Sequence, residues 1–405
     1  MSTTITYFHI DVNNAFLSWE ALYHMRILGE TVDLRTLPTA IGGDKAKRHG
    51  IILAKSNLAK KCGVTTGEPL VQAYKKCPEL IVLAPHHNYY KECSSLFITK
   101  LQSYAPIVEQ YSIDEAFCDM SGTETIYGDL FLFAERLRKE IYEELGFSVN
   151  IGISSNRLLA KMASDFEKPN KVHTLYPHEI PTKMWPLPAR DLFFVGASTE
   201  KRLSSLGIHT IGDIAHTDLS ILRSHLKKQG EIIYNFANGH DLSLIGGHDK
   251  PPVGYGNSTT IAFDICDVED AHHVILSLCE SVCQRLRTDN VAATVIALEL
   301  KDNNFITIHH QRTLATPTNV TDEFYTIACE LFAHLWEGSP IRLIGVTASK
   351  VTHDMNRQLN LFDMDKYEKL SKLDSSLDEI RHRYGREAVR RASFINKTPG
   401  PPNTK

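Results

Sequence analysis

The stretch EQYSIDEAFCDM, residues 109–120, sets Asp114 and Glu115 side by side in a run whose aromatic and β-branched residues otherwise read as strand. Neighbouring side chains on a strand point to opposite faces, so a regular strand here drives one carboxylate into the core at a cost of several kcal/mol. A turn at a hairpin edge, where water screens the charge, would hold the pair without any chemistry. Against that reading, Ser112-Ile113 and Ala116-Phe117 leave little solvating sequence around the acids. A second strand-like run, ITYFHIDV (5–12), ends in a third acid, Asp11, in apolar surroundings. Carboxylates converging from two adjacent strands repel one another unless a divalent cation sits between them, and hard oxygen donors suit magnesium or manganese. Two such ions about 3.5–4 Å apart form the clamp that stabilises in-line displacement at phosphorus. Asp114 and Glu115 cannot both face one site from a regular strand. The residues SIDE are therefore expected to form a tight turn or bulge that swings both acids toward Asp11.

The elements that must carry these acids can be read from periodicity. After the first strand a helix starts near Asn14 and runs through FLSWEALYHM, and a short helix is expected around Ser56–Cys62. From Leu80 to about Leu175 the pattern reads strand–helix–strand–helix–strand. Its strands lie at IVLA, 108–120, SVNIGIS and VHTLY, and one helix face carries Ile126, Leu130, Phe133, Leu137, Ile141 and Leu145. NRLLAKMASDF supplies the second helix, giving an α/β layer. Residues 187–240 show short helices joined through Gly196 and Gly207, without a strand signal. The polar, Gly/Pro-containing stretch 239–252 marks a boundary. Beyond it the order is β-α-β-β-α-β, with a hairpin turning at Asp302–Asn304, the split βαβ arrangement.

A length of 405 residues predicts about three domains. The apolar fraction of 42% and charged fraction of 23% are those of an ordinary globular chain, with no apolar window long enough for a membrane span and no basic flank ahead of an apolar run at MSTTITYFHI. Eight cysteines lack paired spacing, which fits a reducing compartment; Cys279 and Cys283 share a helix face without a second cluster to complete a metal site. The net charge of −4 hides a basic run, KAKRHGIILAKSNLAKK (45–61), and a basic stretch near the C-terminus, RHRYGREAVRR; both point to a polyanionic partner.

HIDVNNAF and YSIDEAFCDM together resemble the two palm motifs of Y-family DNA polymerases, the DinB/UmuC group that copies past damaged bases. The resemblance continues through IGISSNRLLAKMASDFEKPNK (151–171), through LPARDLFFVGASTEKRLSSLGIHTIGDIA, which looks like a helix–hairpin–helix thumb, and into the β-α-β-β-α-β module. It implies an α+β multidomain right-hand polymerase. The palm would be ferredoxin-like and occupy 1–22 and 86–175, with small fingers at 23–85 and a helical thumb at 176–240. A linker (241–252), a little finger (253–350) and a tail (351–405) would follow. The activity implied is template-directed synthesis past damage, without proofreading. Asp11 and Asp114 would bridge two magnesium (or manganese) ions, helped by the Val12 carbonyl and completed by Glu115. Phe16 would be the steric gate against ribose, and Lys168 would contact the triphosphate.

The pattern departs from commoner DinB members in the fingers, where Asn57 and Lys60 replace a tyrosine and an arginine; lysine cannot make the bidentate fork of arginine to phosphate. DVN after the first strand, like lysine at position 60, has a UmuC flavour. Gly196 and Gly207 would aim backbone N–H groups at DNA phosphates. In the tail, Gln358, Leu359, Leu361 and Phe362 resemble the peptide by which bacterial polymerases dock on the sliding clamp. The partners implied are primer-template DNA, deoxynucleoside triphosphates, the clamp and accessory subunits, for a monomeric chain of the bacterial cytoplasm with no membrane association. A catalytically silent DNA- and clamp-binding scaffold is the rival reading, though a scaffold has no reason to carry three mutually repelling acids. A nucleotidyl cyclase would share the palm but not the thumb, little finger or clamp peptide. The basic tail helix, expected over Asp378 to Ile395, suggests DNA contact and nothing further.

Overall fold

The computed structural model describes residues 5–43, 50–246, 252–354 and 364–392. Contacts divide them into two compact units, one built on residues 5–43 and 51–246, the other on 252–354 and 364–392. In the first, β1 (Tyr7–Val12) passes through a left-handed Asn14 into α1 (Ala15–Arg26). A small sheet follows, made by β2 (Thr39–Gly42), β3 (Ile52–Lys55), α2 (Asn57–Lys61), α3 (Leu70–Lys76) and β4 (Ile81–Leu83), in strand order β3-β2-β4. Ser56 starts α2 by accepting a hydrogen bond from the Ala59 N–H, the usual work of serine at a helix start. The IVLA strand thus leaves the larger layer in which its sequence position put it. β4 pairs in parallel with β2, and Val82 packs on a core of Ala40, Ile52, Val64 and Leu70.

The next helix, α4 (His87–Gln102), has no counterpart in the sequence reading. Tyr90, Cys93, Phe97 and Leu101 give it a buried face at helical spacing, but Asn88, Tyr89 and Ser95 dilute the pattern. Then come β5 (Ile107–Gln110), β6 (Glu115–Asp119), α5 (Glu124–Tyr127) and α6 (Leu130–Leu145). The predicted single helix face from Ile126 to Leu145 is broken in two. The chain turns at Gly128, Asp129 caps α6 through the Phe131 and Leu132 N–H groups, and Ile126 is left 73% exposed. β7 (Val149–Ser154), α7 (Arg157–Ser164) and β8 (Val172–Thr174) complete a five-stranded sheet of order β5-β6-β1-β7-β8.

β1 is the central strand and every residue in it is buried, because both its faces are covered. Phe8, Ile10 and Val12 enter a core with Trp19, Tyr90, Phe97, Phe133 and Ile141. Tyr7, His9 and Asp11 alternate onto the opposite face, where α7 lies. That helix approaches so closely that a Cβ on Gly152 would stand 2.0 Å from the Ala160 carbonyl oxygen and 2.4 Å from the Ser164 nitrogen. The Gly-Ile-Ser motif therefore needs glycine for helix-on-strand contact.

The helical region contains α8 (Ala197–Ser205), α9 (Ile211–His216), α10 (Leu219–Leu226) and α11 (Lys228–Ala237), sharing one core with Leu158, Leu159 and Met162 of α7. The stretch after it is strapped to the larger sheet as far as residue 246. Asp241 accepts from the Leu158 N–H, Arg157 donates to the Leu244 carbonyl, Glu109 accepts from the Gly246 N–H, and Ile245 buries against Tyr7 and Phe117.

In the second unit, β9 (Gly254–Ile265), α12 (Val268–Thr288), β10 (Ala292–Asp302), β11 (Thr307–Thr318), α13 (Thr321–Leu335) and β12 (Ile341–Thr352) form an antiparallel sheet of order β11-β10-β12-β9. β12 inserts between β9 and β10, which is the split βαβ arrangement. Cys279 and Cys283 are core residues here. The tail helix, α14, spans Met364–Tyr384, not Asp378–Ile395. Three of its charges, and Arg391 after it, pair inside the unit: Arg287 of α12 meets Asp374 and Asp378, and Glu280 meets Arg381 and Arg391. Two of the basic residues assigned to a DNA partner thus neutralise acids of their own unit.

Candidate active site

Asp11 and Glu115 are direct cross-strand partners in the β1–β6 register, so their side chains leave the same face of the sheet. Asp114 precedes β6 and lies in the hairpin turn Tyr111–Asp114, closed by Tyr111 and Ser112 N–H groups donating to the Glu115 carbonyl. The turn is tied back to β1 by the Val12 N–H donating to the Asp114 carbonyl at 3.0 Å. Two adjacent acids can therefore serve one locality because only the second belongs to a strand.

Asp11, Val12, Phe16, Asn57, Lys60, Asp114 and Lys168 line one cavity of about 420 Å³. They arrive from the β1–α1 junction, α2, the hairpin turn and the loop after α7. Asn13, Asn14, Lys55 and Thr66 join them and were not singled out in the sequence. Phe16 stacks on Tyr90 at 5.0 Å between centroids, and Tyr90 donates to the buried carboxylate of Glu20. An aromatic in a wall of the cavity, backed by a second fixed ring, is suited to a steric role.

Lys168 Nζ lies 2.5 Å from Asp11 Oδ2 and 2.8 Å from Asp165 Oδ1. Burial works against its charge, but the two carboxylates outweigh burial and raise its pKa. Its loop is pinned from below. Asn150, fully buried opposite Asp11 in the β1–β7 register, donates to the Ser164 and Glu167 carbonyls, while the Asn13 side chain accepts from the Asn170 N–H.

Glu115 does not line the cavity. Its Oε1 meets Lys161 Nζ at 3.0 Å, and its Oε2 lies 3.8 Å from His9 Nε2. Burial opposes the Glu115 charge, but His9 and Lys161 hold its pKa down to about 2. Lys161 supplies the lasting charge, because burial drives His9 to about 4 and leaves it neutral near neutral pH. Lys161 was missed at the sequence level. Its signal is a lysine inside RLLAKMAS, a helix whose residues from Leu158 to Ser164 are all buried, since a buried ammonium demands a partner.

Gly196 and Gly207 stand apart from the cavity, flanking α8. Gly196 occupies the start of that helix, and Gly207 has a positive φ of 77° in the turn before α9. Gln358, Leu359, Leu361 and Phe362 lie outside the described residues, as do Lys45, Lys47 and Arg48 of the basic run. Among the described residues, the one group of potential metal ligands with all donor atoms within 4.8 Å of each other is Cys62, Cys77 and Glu79, none of which lines the cavity.

Family comparisons bear on this geometry. Residues 10–165 match the impB/mucB/samB family, 252–361 match that family's C-terminal domain, and 190–241 match the DNA polymerase-iota thumb domain. The chain is 41% identical over 394 residues to DNA polymerase IV of Clostridium acetobutylicum, covering 96% of this chain and 98% of the relative. DNA polymerase IV of Pelotomaculum thermopropionicum is 36% identical over 96% of this chain and 94% of its own length, and DNA polymerase IV 2 of Bacillus subtilis 34% over 90% of each. The chain belongs to the Y family of DNA polymerases. A chimeric Y-family DNA polymerase of known structure superimposes with a TM-score of 0.72 at 20% identity, covering 87% of this chain and all of that one, so the fold is a right-hand Y-family fold with a helix–hairpin–helix thumb.

Y-family polymerases are nucleotidyltransferases that use divalent metal ions, and the donor set here suits such ions. Burial raises Asp11 to about 6 despite the pull of Lys168, so its charge lacks the solvation water would give and gains from a cation close by. The three carboxylates present only hard oxygen donors. Their oxygens are not drawn within 4.8 Å of one another, with Lys168 holding Asp11 and Lys161 holding Glu115. No helix among the described residues is long and apolar enough to cross a membrane.

Proposed function

We propose that the chain performs template-directed DNA synthesis past damaged bases, with its active centre in the cavity bounded by Asp11, Asp114, Phe16 and Lys168. The observation that carries this reading is the convergence on that one cavity of acids, an aromatic and lysines from four separate sequence segments. The segments divide as a palm (1–22 and 86–175), fingers (23–85), thumb (176–240) and little finger (253–350).

Asp11, Asp114 and the Val12 carbonyl would hold two magnesium ions, with Glu115 completing the set beside the primer 3′-hydroxyl; manganese fits the same hard oxygens. When bound, the ions neutralise charge at the α-phosphate and lower the barrier to displacement of pyrophosphate. The protein's own part is positioning. Lys168, released from Asp11, turns its point charge to the triphosphate. Lys60 and Asn57 approach the same group from the fingers, and Phe16 occupies the space that a 2′-hydroxyl would need. Gly196 and Gly207 present backbone N–H groups to DNA phosphates, and the Gln358–Phe362 peptide docks on the sliding clamp. The partners are primer-template DNA, deoxynucleoside triphosphates and the clamp, and the compartment is the bacterial cytoplasm.

Primer extension on intact and damaged templates tests the reading. Synthesis is expected with a divalent ion and deoxynucleotides, and none in Asp114→Asn. Undiminished synthesis by that variant would remove Asp114 from the metal site.

A further inference from the structure

The residues around Glu115 close a ring that passes through three elements. Lys161 of α7 donates to Glu115 Oε1, and its backbone carbonyl accepts from the Ser164 hydroxyl at 2.8 Å. Ser164 Oγ is also 2.7 Å from His9 Nδ1. Ser164 thus links the Lys161 carbonyl to the His9 ring and ties the imidazole of β1 to α7. His9 Nε2, on the side of Glu115, has no hydrogen-bond partner. Glu115 is thus held by Lys161 through one oxygen, while His9 stands 3.8 Å from the other.

Lys161 is itself fixed. Its side chain is 9% exposed, and Nζ sits 5.4 Å from the ring centroids of both Tyr111 and Phe193. Tyr111 belongs to the hairpin turn that ends in Asp114, so the lysine spans that turn. Lys161, like Glu115, is absent from the cavity wall. Burying an ammonium there costs more than burying the methionine or leucine that a helix packed on a sheet would otherwise carry.

We infer that Lys161 is a positioning residue of the metal site, a built-in counter-cation that aims Glu115 and cancels one of the three converging negative charges. The inference rests on the two-metal reading above. With Asp165, which shares Lys168, four carboxylates against Lys161 and Lys168 leave two net negative charges before any ion binds. Removing the Lys161 charge raises that to three, which attracts divalent ions more strongly, yet it frees Glu115 to rotate away from the position at which those ions are useful. The two effects have opposite signs.

The test uses the full-length protein and variants Lys161→Met and Lys161→Arg. Manganese binding is followed by electron paramagnetic resonance without DNA or nucleotide, and single-nucleotide incorporation gives kcat. Lys161→Met is expected to bind manganese roughly three- to tenfold more tightly, the scale of one partly screened charge, while kcat falls at least about tenfold. Lys161→Arg, keeping the charge, is expected to bind manganese as the wild type does. Weaker binding together with lower kcat in the methionine variant would make Lys161 an ordinary core residue and overturn the inference. Unchanged binding and unchanged kcat would do the same. Lys161→Gln repeats the measurement if the methionine variant does not fold. Glu115→Gln is the control for the underlying reading. Full synthesis by that variant sinks the metal-site assignment itself, whereas lost synthesis there with no split at Lys161 sinks only the inference.

Discussion

Asp11→Asn should make the metal-free protein more stable while ending its activity. Raising a carboxylate from 3.8 to about 6 costs the charged form roughly 3 kcal/mol in the folded state relative to the unfolded chain. The folded state therefore holds its proton more tightly, and the penalty is absent below the unfolded pKa, grows between about pH 4 and about pH 6, and is complete above that. An asparagine, like the protonated acid, escapes it. The pull of Lys168, which keeps Asp165 at 2.8 Å, is already contained in that shift, so the expected gain is about 3 kcal/mol near neutral pH. For a unit of this size that is about 6–12 °C in Tm. Calorimetry in a chelating buffer across that pH range measures it, and the gap between variant and wild type should close as the solution is acidified. Adding magnesium should raise the wild-type Tm and narrow the gap from the other side, since an ion bound only by the folded state stabilises it. An asparagine variant less stable than wild type at neutral pH, or a gap that ignores pH, would refute the claim that the cost of burying the Asp11 charge exceeds what Lys168 returns.

Phe16→Ala should admit ribonucleotides, with the ratio of kcat/KM for deoxy- over ribonucleotide falling by at least about tenfold; an unchanged ratio would remove the gate. Gly152→Ala should destabilise the first unit by about 3 kcal/mol, because the new Cβ meets helix backbone that cannot move without shifting α7, and a Tm equal to wild type would show the helix is free to slide. Arg287→Met should leave Asp374 and Asp378 without their shared cation and release α14, seen as faster proteolysis of the tail and a loss of about 3 kcal/mol; unaltered proteolysis would mean that other contacts hold the helix. Deleting Gln358–Phe362 should leave unassisted synthesis intact and abolish stimulation by the clamp, and stimulation that survives would place the docking peptide elsewhere.

The candidate site was legible in the sequence because its signal is local. Asp11 closes an apolar strand, Asp114 and Glu115 interrupt another, and neither placement makes sense for a solvated surface. Amphipathic periodicity likewise marked α12, α13 and the split βαβ module. Less was readable where a pattern was diluted or truncated. α4 hides its buried face among aromatics and polar residues, α5 and α6 share one apolar period that Gly128 and Asp129 break, and the three residues of β4 say nothing about which sheet they join. Pairing between sheets is decided by partners far along the chain.

What the residues determined alone, then, is which groups are ionisable, bulky or flexible, and that three acids in apolar surroundings require positive charge. What only the tertiary structure decided is where that charge comes from. Lys168 and Lys161 are distant from the acids they meet, by 157 positions to Asp11 and 46 to Glu115, and both reach them because α7 and its following loop fold back over β1. The closeness of that approach depends on a glycine in β7. Charge balance is a property of neighbours in space, and those neighbours exist only once the helix has packed on the sheet.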